Sequence, residues 1–103
     1  MAMIITGATP THEFDVDTDL TQAVEIWISY SQNRKLILNK TMADGIEVTE
    51  NQVSIKLTQE DTLLFDKIGE VKIQIRARFA DGNAIVSDII KTTASECLKK
   101  EVI

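Results

Sequence analysis

Cysteine, proline, histidine and aromatic residues are all scarce in this chain of 103 residues, which has one Cys, one Pro, one Trp, one Tyr and three Phe. The lone Cys97 excludes an intramolecular disulfide and a thiolate zinc site, so folding rests on burial. The single His12 excludes a pair of imidazole ligands and has no cysteine near it in sequence. No apolar run approaches the roughly 20 residues that a membrane helix needs. Met1 to Ile5 carries no basic residue and gives way at once to Thr6 and Gly7. It reads as neither a signal peptide nor a membrane anchor, and cytoplasmic synthesis is the expectation. Acidic residues outnumber basic ones 16 to 11, for a formal charge of −5. Neutralising a nucleic acid backbone calls for a clustered basic face, so that balance argues against a nucleic acid partner.

What the chain does have is alternation. From Glu70 to Ala80, Val71, Ile73, Ile75, Ala77 and Phe79 fall on one side of a period-two element and Lys72, Gln74, Arg76 and Arg78 on the other. This predicts a half-buried strand. Asp81, Gly82 and Asn83 tolerate positive φ and Ala84 to Ser87 is again extended, so a hairpin is expected there. Similar patterns recur along the chain. His12 to Val16 turns Phe14 and Val16 inward, and Ala23 to Ser31 turns Val24, Ile26, Ile28 and Tyr30 inward with Trp27 outward. Gln32 to Arg34 is a turn, after which Leu36 and Leu38 point to the core. Ile46 to Val48 and Val53 to Leu57 form a hairpin about Glu50 and Asn51.

Thr58-Gln59-Glu60-Asp61 has the form of a capping box and predicts one helical turn near residues 59–64, setting Leu63, Leu64 or Phe65 over the open end of the core. The segment from Asp88 to Thr93 alternates poorly, and Ala94 to Ile103 reads equally as strand or helix. Connections this short imply antiparallel pairing. The expected architecture is a single all-β domain over residues 1–103. Within it we expect an immunoglobulin-like antiparallel β-sandwich of seven or eight strands, with a small barrel as the alternative.

No catalytic, metal or cofactor constellation emerges. His12 reads as a surface or strand-edge residue, and Cys97 as a buried or incidental thiol without a base. Asp15, Asp17 and Asp19 lack the glycine and closing glutamate of a calcium loop and read as a solvated acidic segment. Surface features carry more. Trp27 on the outer face either meets another molecule or packs under a loop of its own domain. Ile37 is expected to project beside it from the next strand. Lys72, Arg76 and Arg78 stand in line on the outer face of their strand, either as an interface or as a solvated row paired with carboxylates such as Glu25. Unpaired sheet edges are a third route to a partner.

Three stretches carry a resemblance: Tyr30-Ser31-Gln32 closing a strand, Leu57 to Phe65 with its Leu-Thr-Gln-Glu turn, and Gly69 to Arg78 with its Val-Lys-Ile-Gln-Ile-Arg core before Asp81 and Gly82. Together they resemble small uncharacterised β-sandwich proteins of phages and prophages from Gram-positive hosts, encoded among tail or structural genes. The likeness runs from about Thr11 to Thr93. It implies a virion-associated or assembly component, not an enzyme, that acts by protein contact as a homo-oligomer or docked on a larger protein. Trp27, Ile37, Lys72, Arg76 and Arg78 are the candidate contact residues. The alternative from another class is a carbohydrate- or ligand-binding module of a bacterial surface system.

Overall fold

The computed structural model describes residues 4–65, 69–95, 98–99 and 101–103. The strands are β1 (Ile4–Ile5), β2 (Thr11–Asp15), β3 (Glu25–Gln32), β4 (Lys35–Lys40), β5 (Glu47–Val48), β6 (Gln52–Lys56), β7 (Gly69–Arg78), β8 (Ala84–Val86) and β9 (Ile90–Ser95). A 3-10 turn, Met42–Asp44, follows β4, and one short helix, α1 (Gln59–Thr62), follows β6. Cys97 and the connection at residues 66–68 lie outside the described residues. So does part of the carboxyl end, although Ala94 and Ser95 complete β9. Among the described residues, no helix is long and apolar enough to cross a membrane.

The larger sheet runs β1-β9-β7-β3-β4, with β8 also paired to β7, and the smaller runs β2-β6-β5. Long β7 organises the larger one. Its first half pairs with β9 and its second half with β8, while its other edge pairs with β3 from Glu25 opposite Arg78 to Gln32 opposite Val71. The inward sides of the two sheets meet in one buried cluster. Ile26, Ile28, Tyr30, Val71, Ile73, Ile75 and Ala77 come to it from β3 and β7, and Phe14, Val53 and Ile55 from β2 and β6. The period-two patterns thus do what they predict, since side chains two apart share a face and only one face is covered.

Pairing is not wholly antiparallel, as the short connections suggested. β1 runs parallel to β9, Ile4 opposite Ala94 and Ile5 opposite Ser95. These two segments are separated by nearly the whole chain, so no hairpin dictates their direction, and burial of the fully enclosed Ile4 fixes the contact instead. That strand raises the count among the described residues to nine, beyond the seven or eight expected.

Two inward assignments fail for definable reasons. Val24 stands just before β3, at the rim where the inward side is no longer covered, and is exposed. In β4 the register slips: Tyr30 lies opposite Leu38 but Ser31 opposite Leu36. Ile37 is therefore the extra residue of a β-bulge, which reverses the faces of its neighbours. Leu36, expected inside, is 67% exposed, and Ile37, expected outside, packs on the core.

The local turn chemistry follows the sequence closely. Thr58 Oγ1 accepts from the Asp61 N–H at 3.1 Å and Asp61 Oδ2 accepts from the Thr58 N–H at 2.9 Å, closing the capping box at α1. Of the three apolar residues after it, Phe65 is the one that seals the core, fully buried with its ring edge-on to Tyr30 at 5.9 Å between centroids. The β3–β4 hairpin turns on Asn33 and Arg34, with φ of 54° and 64°. A left-handed arginine is costly, whereas asparagine followed by glycine suits a two-residue hairpin of this kind. Arg34→Gly is expected to stabilise the fold by about 0.5–1 kcal/mol, the relieved strain exceeding the added chain entropy. Urea denaturation checks this, and an unchanged or lower midpoint contradicts it.

Candidate functional site

The outer face of β3, β7 and β8 gathers three of the five candidate contact residues. Period-two geometry sends Trp27, Arg76 and Arg78 outward because Ile26, Ile28, Ile75 and Ala77 are held inside. The pairing register then sets them in rows. Trp27 lies opposite Arg76, which lies opposite Val86 on the other side, and Glu25 lies opposite Arg78, which lies opposite Ala84. The Arg76 guanidinium carbon sits 5.4 Å from the Trp27 ring centroid, a cation–π contact. Trp27 is 40% exposed, covered in part by that arginine. Beside it is a shallow hollow of about 170 Å³ bordered by Glu25, Trp27, Arg76, Arg78 and Ala84.

Lys72 is exposed on the same face of β7, but four residues from Arg76, about 13 Å along a strand. It stands between Ser31 of β3 and Lys91 of β9. Gln74, the residue between Lys72 and Arg76, bends to donate to the Ser87 carbonyl at 3.1 Å. None of Lys72, Arg76 and Arg78 makes an ion pair among the described residues. Glu25, which faces Arg78 in register, has its carboxylate accepting from the Ile26 N–H at 3.2 Å instead. Ile37 does not join this face, because the bulge in β4 sends it to the core.

A second constellation, which the sequence reading missed, is a polar seam inside the molecule. His12 is not a surface residue. It is 1% exposed, and its Nδ1 lies 2.7 Å from the Tyr30 hydroxyl, which is also buried. His12 shares the inward parity of Phe14, so the alternation of β2 held the signal. The Tyr30 oxygen has no other hydrogen bond among the described residues. The two groups share this one bond, its direction set by the imidazole tautomer, and Nε2 is a buried nitrogen without a partner there. Burial first, and then the positive amino terminus, hold the imidazole below its ordinary range. Burial, with the Asp61 charge adding to it, pushes the Tyr30 phenol well above its own.

Asp61 is the charged end of this seam. Its Oδ2 takes both the Thr58 N–H and, at 2.7 Å, the Lys40 ammonium, with each side chain of the pair 12% exposed. Lys40 lies opposite inward-facing Ile28, which explains how a lysine reaches the interior end of α1. Burial alone would raise the Asp61 pKa; the hydrogen bonds and charge of Lys40 and the Thr58 donors outweigh it and leave the carboxyl below its usual range. Thr62 ties the same corner to the start of the chain, donating to the Ala8 carbonyl at 2.8 Å and accepting from the Gly7 N–H at 2.9 Å.

Of the acidic segment, Asp19 folds back on Thr21, accepting from its N–H at 2.9 Å and its hydroxyl at 2.6 Å. Among the described residues, no three His, Cys, Asp or Glu side chains are grouped to hold a metal ion. The seam lacks an open reacting position, since the His12–Tyr30 pair is enclosed. The outer face offers an exposed aromatic ring and cations without an ionic partner among the described residues, the chemistry of contact with another macromolecule. Compared with known proteins, the chain matches no family model, no curated protein and no solved structure.

Proposed function

We propose that this protein is a non-enzymatic protein–protein interaction module whose contact face is the outer side of β3, β7 and β8. The observation that carries the reading is the exposed Trp27 in cation–π contact with Arg76, beside an Arg78 that has no ionic partner among the described residues. Tryptophan and arginine are the residue types whose burial most often dominates binding, and here each pre-orders the other at little entropic cost.

We further infer an immunoglobulin-like sandwich of the variable type. In that arrangement one sheet holds B, E and D together and the other runs G-F-C-C′. The order β2-β6-β5 has the places of B, E and D, and β9-β7-β3-β4 those of G, F, C and C′. Placement in a phage or prophage particle, as a tail or baseplate component, rests on the sequence resemblance alone. Tail or capsid genes on either side of the coding sequence are the expected finding, and a metabolic neighbourhood overturns it.

Self-association through the tryptophan face is the expected mode of contact. Sedimentation equilibrium is expected to give a concentration-dependent oligomer, with Trp27→Ala weakening association by about tenfold or more. Arg76→Lys, which removes the planar stacking group and keeps the charge, is expected to weaken it less. A strictly monomeric wild type, or an oligomer indifferent to both substitutions, overturns self-association by this face.

A further inference from the structure

A second surface lies between the sheets, away from the tryptophan face. Beside the carboxyl end of β2, a cleft of about 320 Å³ opens to the interior, and Val16, Leu20, Ile75, Ile85 and Ile90 contribute its apolar lining. Ile85 sits opposite inward-facing Ala77, yet is 38% exposed, because the cleft leaves it uncovered. Asp15, Asp17 and Asp88 form the rim.

Asp15, the last residue of β2, and Val16 after it line this cleft, and β2 has an open edge. Among the described residues, β2 pairs with β6 alone. The Leu57 N–H donates to the Pro10 carbonyl and the Val16 N–H to the Asn51 carbonyl, each at 2.9 Å. These bonds fix the even-numbered residues of this segment as those bonded to β6, so the backbone groups of Glu13 and Asp15 turn to the free edge. Neither residue has a hydrogen-bond partner for them among the described residues. The Glu13 and Asp15 side chains lie on the solvent face of the same strand.

We propose that this cleft binds an extended strand of a partner polypeptide, paired to the free edge of β2, with aliphatic side chains entering the cleft and lysine or arginine on the alternate positions. An added strand satisfies the unpaired backbone groups and covers the apolar lining in one step. Its outward side chains fall opposite Glu13 and Asp15, where cross-strand pairing favours the opposite charge. A second copy pairing β2 with β2 about Glu13 would instead set glutamate against glutamate, which disfavours self-pairing.

The test uses the full chain and, as probe, a fluorescein-labelled nonapeptide of alternating valine and lysine. Fluorescence anisotropy is expected to show saturable binding, weakened about tenfold or more by Ile85→Asp and by the combined Asp15→Asn, Asp17→Asn and Asp88→Asn substitutions. A peptide with glutamate for lysine is expected to bind at least about tenfold more weakly. Amide exchange at Glu13 and Asp15 is expected to slow on binding. Three results overturn the proposal: no saturable binding, binding unchanged by either variant, or Glu13 and Asp15 amides already protected in a concentration-dependent dimer without peptide. The charge-neutralised variant alters exposed side chains only, so loss of folding does not mimic the expected result.

Discussion

Replacing Asp61 by alanine is expected to lower the stability of the fold by about 3 kcal/mol, read as a fall in the urea midpoint without a change in slope. Two losses combine. The carboxylate closes the capping box at α1 by accepting the Thr58 N–H. It also neutralises Lys40, whose side chain is only 12% exposed and would be left charged and unpaired. Asp61→Asn keeps an acceptor for the cap and loses the charge, so an intermediate cost is expected. Lys40→Met in the Asp61→Asn background is expected to recover part of it, since both ends of the pair are then neutral. A cost for Asp61→Ala below about 1 kcal/mol would mean that water already solvates the pair, in line with exposed ion pairs.

Tyr30→Phe is the second large effect, about 2 kcal/mol, because it leaves the buried His12 ring without the one hydrogen bond it has among the described residues. The same pair sets the pH dependence. His12 has a folded pKa below its unfolded value near 6.5, so its contribution is fully present above that pH and is lost as pH falls toward the depressed folded value. Asp61, also depressed, acts in a lower window: its contribution is present above its unfolded value near 3.8 and disappears as pH falls through the folded one. Tyr30 has the opposite sign. Its raised pKa keeps stability intact below about pH 10, with loss as pH rises beyond it. Urea midpoints measured from pH 3 to pH 11 are expected to give a dome, and His12→Gln to flatten the limb that begins near 6.5. A wild-type midpoint constant between pH 6.5 and 5 would show that the imidazole titrates as if exposed.

Local chemistry was readable in the chain. The alternation from Val71 to Ala77, the capping box at Thr58, the turn at Asp81 to Asn83 and the outward Trp27 each depend on residues close in sequence, and each stands where the pattern placed it. Period-two parity even carried the burial of His12, although scarcity of histidine drew the reading to the surface. The bulge in β4 was different. One unpaired residue exchanged the faces of Leu36 and Ile37 and removed Ile37 from the contact surface, and no local propensity marks where a ladder slips.

By itself, the sequence determined that this protein is built mostly of strands, that a capped helical turn follows Thr58, and which face of each long strand is apolar, because those properties follow from neighbours two to four residues apart. Tertiary structure alone decided that His12 meets Tyr30, that Lys40 meets Asp61, that β1 runs parallel to β9 and that a cleft stays open beside β2. Those contacts join segments from 18 to about 90 residues apart, and only closure of both sheets on one core fixes which distant backbone and side-chain groups find a partner and which are left facing outward.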